Sequence, residues 1–116
     1  MKKIEYSDGG FYIGKVSGGK AHGRGRFTAA DGTVYEGEFK KGEFEGRGKL
    51  IYPDGTRYDG WFKESKFDRL GKFWFTDGRT YEGGMTCGVL HGKGVLTMPD
   101  GKKHKQKYNL GHLVEK

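Results

Sequence analysis

The feature that most constrains this chain is a repeat of 23 residues. Tyr12, Tyr35, Tyr58 and Tyr81 fall one period apart, and each opens a Tyr-x-Gly with Gly14, Gly37, Gly60 and Gly83. Gly25, Gly48, Gly71 and Gly94 keep the same phase, as do the Asp-Gly pairs that begin at Asp31, Asp54, Asp77 and Asp100. Self-similarity at such a period marks a stacked architecture in which each unit completes its core against its neighbours. Asp8-Gly9 is also in phase. Residues 1–11 therefore read as a partial repeat, followed by repeats at 12–34, 35–57, 58–80 and 81–103. A second partial repeat at 104–116 has His104 in the tyrosine position. An array that opens and closes in mid-unit is expected to be a piece of a longer array or of a multidomain protein.

Each unit alternates with period two. Tyr35, Gly37 and Phe39 point one way and Glu36 and Glu38 the other, which is a strand. After a loop around Lys41 and Gly42, a second strand sets Gly48, Leu50 and Tyr52 on one face with Arg47, Lys49 and Ile51 opposite. Asp54-Gly55 then turns the chain into the next unit, since glycine accepts the positive φ of hairpin loops and aspartate braces them. Helical periodicity is absent, and a glycine every few residues would cost a helix about 1 kcal/mol each. The expected fold class is all-β: an elongated antiparallel meander of tandem β-hairpin repeats in a single curved sheet.

Composition supports an ordered chain of unusual kind. Hydrophobic residues make up 33% and charged residues 32%, with 23 glycines, a mixture that would favour disorder without the 8 Phe, 7 Tyr and 2 Trp. Aromatics need something to pack on. In this pattern they collect, with Val16, Leu50, Met85, Leu96 and Met98, into one apolar stripe on the tyrosine face. The stripe first reads as core. A sheet face nevertheless needs a second layer, and the sequence supplies no helix or second sheet. Curling can bury some rings. The remaining groove is a candidate interface for a helix, an extended segment or another copy of the chain, with Tyr35, Phe39, Tyr58, Phe62, Phe73, Phe75 and Tyr81 as the partner-binding candidates.

The opposite face is mixed. Arg24, Arg26, Arg47, Lys49, Lys72 and Lys93 lie on second strands and Glu36, Glu38, Asp59 and Glu82 on first strands, so cross-strand pairs are expected to neutralise much of the ladder. Trp61 and Trp74 join Ile51 on this face, either as a small secondary patch or as cover for the stems of nearby cations. Near the end, Lys102, Lys103, Lys105 and Lys107 form a basic run. They read as a solvated edge guarding against aggregation or as an anion-binding and lipid-binding surface, the latter in keeping with the net charge of +7.

Nothing in the pattern converges on catalysis. His22 and His91 occupy the same repeat position three units apart, and His104 and His112 lack the carboxylate or cysteine spacing of a zinc site. Gly23 and Gly25 enter a strand, where a dinucleotide motif would open a helix. No enzyme activity, cofactor or metal is expected. The single Cys87 fits a reducing compartment, and no stretch approaches the ~20 apolar residues of a membrane span. The expected location is cytoplasmic, with any membrane contact peripheral. Nucleic acid ranks behind protein and lipid as a partner, because the basic residues are interspersed with acidic ones.

The pattern Tyr-x-Gly-x(4)-Gly-x(2)-His-Gly-x-Gly, carried by Tyr12, Gly14, Gly19, His22, Gly23 and Gly25, resembles the MORN (membrane occupation and recognition nexus) repeat. The resemblance covers nearly the whole chain. Glu45 replaces the histidine in the second repeat and His91-Gly92 restores it in the fourth, while the third has Ser65, Asp68 and Arg69 for Gly, His and Gly. The third loop is expected to differ in shape. The resemblance implies a scaffold or adaptor in cytoskeletal or membrane-cortex assemblies, possible self-association, and phospholipid binding as the alternative role.

Overall fold

The computed structural model describes residues 2–115. Eleven strands follow in chain order: β1 (Lys2–Glu5), β2 (Phe11–Ser17), β3 (Lys20–Thr28), β4 (Val34–Lys40), β5 (Glu43–Ile51), β6 (Arg57–Lys63), β7 (Lys66–Trp74), β8 (Thr80–Thr86), β9 (Val89–Thr97), β10 (Lys103–Asn109) and β11 (His112–Glu115). They form one open antiparallel sheet in which every strand pairs with its sequence neighbour. The fold class is the one the repeat predicts.

The molecule measures 46 × 23 × 20 Å. Eleven strands at ~4.8 Å spacing account for the long axis. The two shorter extents are nearly equal, so the sheet is curved into a trough. That curvature comes from a bulge in every full repeat, where the register slips between Gly14 and Val16, Gly37 and Phe39, Gly60 and Trp61, and Gly83 and Met85.

The bulges adjoin an unbroken row of register-paired glycines: Gly14, Gly25, Gly37, Gly48, Gly60, Gly71, Gly83 and Gly94. Each repeat tyrosine lies down on this row. A Cβ at Gly25, Gly48, Gly71 or Gly94 would occupy the ring of Tyr12, Tyr35, Tyr58 or Tyr81 respectively, which is why only glycine serves there. The tyrosine hydroxyls then reach the bulge. Tyr12 donates to the Lys15 carbonyl at 2.6 Å, Tyr35 to Glu38 at 2.7 Å and Tyr58 to Trp61 at 3.1 Å. The Tyr81 hydroxyl is buried with no partner.

The following repeat covers each tyrosine from the side. Phe39 meets Tyr12 edge-on at 4.8 Å, Phe62 meets Tyr35 at 5.0 Å, and Tyr108 meets Tyr81 at 5.8 Å. Phe44 stacks on Tyr35 at 3.8 Å. A single layer thus builds a core from its own curvature and from the overlap of successive units, without a second sheet.

The hairpin loops are clasped to one another as well. The N–H of Gly42 donates to the Ala21 carbonyl, that of Ser65 to Phe44, that of Gly88 to Phe67 and that of Gly111 to Leu90. His22 accepts from the Lys41 N–H, Glu45 from Glu64 and His91 from Leu110. In three of the four repeats the position thus supplies an acceptor side chain, histidine or glutamate.

The third loop departs from expectation. Ser65 and Arg69 adopt φ of 64° and 62°, in the left-handed region used by Gly19 and Gly23 of the first repeat at 78° and 89°. The loop keeps the backbone shape of its neighbours and accepts the strain of non-glycine side chains. The inter-repeat hydrogen bond from Ser65 to Phe44 holds that shape, while the register does differ, Trp61 pairing with Asp68 where Lys15, Glu38 and Gly84 are skipped.

Candidate functional site

The aromatic face divides into an interior and a margin. Tyr35 (0% exposed), Phe39 (5%), Tyr58 (1%), Phe62 (4%) and Tyr81 (1%) lie in the core. Of the seven candidates on this face, Phe73 and Phe75 alone are partly open to solvent. With Tyr6, Phe27, Tyr52 and Met98 they form a half-buried strip beside the Asp-Gly turns, at the ends of the second strands. Tyr6 meets Phe27 edge-on at 5.8 Å, and Phe73 stacks with Phe75 at 5.9 Å. Repeat phase places Tyr6, Ala29, Tyr52, Phe75 and Met98 at one position of successive units, so the strip follows the long axis with a gap at Ala29.

The turns beside the strip are rigidly built. Asp8, Asp31, Asp54, Asp77 and Asp100 each accept a hydrogen bond from the backbone N–H two residues on. Those backbone donors hold the carboxyls of Asp31, Asp54 and Asp77 below their ordinary range. In the core, burial raises the Tyr58 phenol to about 12, and drives Tyr35 higher still with help from the Glu38 charge. Burial raises Tyr12, Tyr52 and Tyr81 as well. The Tyr12, Tyr35 and Tyr58 phenols are thus structural donors to the bulge carbonyls.

On the opposite face the register alternates in sign: Arg26 faces Glu36, Glu36 faces Lys49, Lys49 faces Asp59, Asp59 faces Lys72 and Lys72 faces Glu82. Contact is sparser than alternation suggests. Among the described residues none of these facing pairs closes, and the ion pair across these strands is a diagonal one, Arg47 to Asp59 at 3.8 Å. Several cations turn instead to the tryptophans. Arg47 and Arg69 lie over Trp61 at 5.9 and 5.0 Å, and Arg57 and Lys72 over Trp74 at 4.8 and 5.1 Å. Both tryptophans are thus platforms for charged side chains. Leu70 stands beside them, 63% exposed, at the position held by Arg24, Arg47 and Lys93 in the other repeats. That break was visible in the repeat alignment, where a lone leucine replaces a cation.

Lys102, Lys103, Lys105 and Lys107 are all exposed on or beside β10. Among the described residues no ion pair engages them. Lys107 faces Lys93 in register, and both line a groove of about 640 Å³ with Lys105 and Glu82. His22 and His91 act in separate loops, as acceptors from backbone N–H groups. Cys87 is exposed at a hairpin loop. No cluster of three or more His, Cys, Asp or Glu suited to a metal occurs among the described residues.

One open sheet of tandem hairpins, with a tyrosine laid on a cross-strand glycine in each unit, defines a β-repeat module. A profile described as the MORN repeat matches at residues 12–34, 35–57, 58–78 and 81–103, more than half of the chain. The chain belongs to the MORN repeat family. Comparison with curated proteins finds no match. MORN repeats are generally associated with protein or membrane-lipid interactions, and are generally non-catalytic modules.

Proposed function

We propose that this chain is a non-catalytic scaffold or adaptor module that holds a protein partner along the aromatic margin of its sheet. The observation that carries this reading is the half-buried strip of Tyr52, Phe73, Phe75 and Met98, which survives after curvature has buried the repeat tyrosines. Tyr52, Phe73 and Phe75 pack against the core on one side and keep the other open to solvent, and aromatic anchors of this kind dominate binding energy in interfaces. A helix or an extended segment lying along the trough meets them in succession.

A second reading is favoured by the lysines on and beside β10, which no ion pair engages among the described residues. In it the module sits peripherally on anionic phospholipid through Lys102, Lys103, Lys105 and Lys107, each contributing about 1 kcal/mol near a charged membrane. Flotation with phosphatidylserine vesicles at low and physiological salt separates the two. Binding that survives physiological salt and disappears when the four lysines become alanine supports the lipid reading. Salt-resistant capture of a protein partner, lost in a Tyr52→Ser and Phe75→Ser double variant with unchanged circular dichroism, supports the scaffold reading. Full retention of that partner by the double variant excludes the aromatic margin.

A further inference from the structure

We propose that the charged face of the third repeat docks an acidic peptide segment carrying an apolar side chain, at a patch formed by Trp61, Arg69 and Leu70. This patch lies on the face opposite the aromatic margin, so it goes beyond the preceding reading and does not depend on it.

Three departures from the repeat converge here. Trp61 stands where the other units have Lys15, Glu38 and Gly84, Leu70 where they have Arg24, Arg47 and Lys93, and Arg69 where they have Gly23, Gly46 and Gly92. Neither Arg69 nor Leu70 serves the fold. Arg69 is held at φ 62°, a conformation glycine adopts without strain, and Leu70 is the most exposed large hydrophobic side chain among the described residues, at 63%. What they build is a surface. Arg69 covers one side of Trp61 and Arg47 approaches it as well, while Leu70 and Trp74 line a groove of about 530 Å³ with Trp61. Tryptophan and arginine are the residue types most enriched at binding hot spots.

Charge decides the occupant. Around the patch Arg47, Arg57, Arg69 and Lys72 outnumber Asp59, which Arg47 already engages, Asp68, which faces Trp61 in register, and Glu82. Beyond Glu82 the groove holds Lys93, Lys105 and Lys107, with Lys93 facing Lys107 in register on one side and Glu115 facing Lys107 from β11 on the other. Like charges placed opposite each other destabilise a sheet unless an anion bridges them. An extended acidic segment crossing the strands satisfies both regions, its apolar side chain against Leu70 and Trp61 and its carboxylates toward the lysines.

The two tryptophans of the chain report on the patch directly by their fluorescence. The full chain is titrated with a short peptide of alternating Glu and Leu, with a Glu and Ser peptide and phosphatidylserine vesicles as comparators. The expected result is a saturable emission change with the Glu and Leu peptide, weakened about tenfold by Leu70→Ser and by loss of the leucines. Arg69→Gly is expected to weaken binding while raising the melting temperature, because glycine relieves the positive φ. That opposition separates a binding role from a folding role. Absence of a saturable change, equal affinity of the Leu70→Ser protein or of the Glu and Ser peptide, or a lower melting temperature for Arg69→Gly would each overturn the proposal. So would vesicle binding that displaces the peptide from the Leu70→Ser protein as readily as from the parent.

Discussion

The tyrosine laid over glycine is the residue-level device on which this molecule rests, and its hydroxyl gives a direct test. Tyr35 donates to the Glu38 carbonyl at 2.7 Å, whereas the Tyr81 hydroxyl is buried without a partner. Tyr35→Phe is expected to cost about 1 kcal/mol in chemical denaturation, and Tyr81→Phe to be neutral or stabilising. Placing a methyl group under the ring by Gly48→Ala is expected to cost about 1–3 kcal/mol, since the ring has no alternative seat. The same phenols set an alkaline limit. The unfolded chain ionises its tyrosines near 10, while folded Tyr58 keeps its proton to about 12 and Tyr35 beyond that. The folded pKa is the higher one, so this contribution is whole below pH 10 and is lost as pH rises through the folded value. Urea midpoints should therefore stay level up to about pH 9 and fall steadily between about 10 and 12. A midpoint flat across that window would mean the rings are not buried as described.

Among the elements, strands, turns and faces were legible from the sequence because each depends on local periodicity. Tyr35, Gly37 and Phe39 alternate against Glu36 and Glu38, and Asp54-Gly55 turns the chain where its chemistry requires. The bulges were not legible, since Lys15 and Glu38 look like ordinary strand residues until the register is known. Nor was the shape of the third loop, where the neighbouring repeats force Arg69 into a glycine conformation that its identity argues against. On the candidate surfaces, sequence placed Phe73 and Phe75 on the aromatic face, but could not separate them from Tyr35 or Tyr58 on the same face. Burial in a single curved layer depends on the overlap of successive repeats, which alternation does not encode. The clasp between loops was legible only in hindsight, as an acceptor recurring at His22, Glu45 and His91. It predicts that His91→Ala loosens the β10–β11 hairpin by about 0.5–1.5 kcal/mol, read as faster hydrogen exchange at the Leu110 amide with the central strands unchanged. Uniform acceleration throughout the sheet would contradict a local clasp.

At the scale of the whole molecule, contacts run between neighbouring strands along a 46 Å axis. Stability in such an array is a sum of unit and interface terms, so its two ends should exchange amide hydrogens before the β4–β8 centre. The same geometry spreads an accessible aromatic margin along one face while the tyrosines beneath stay sealed, which is the basis for reading the chain as a docking scaffold. Site-specific photocrosslinking measures that claim most directly, with benzoylphenylalanine in place of Phe75 on the margin and, in parallel, of Glu36 on the charged face. In the cell that makes the protein, the scaffold account predicts a discrete, salt-resistant protein adduct from position 75 and none of the same mass from position 36. Adducts to lipid alone, or an identical protein adduct from both faces, would contradict it.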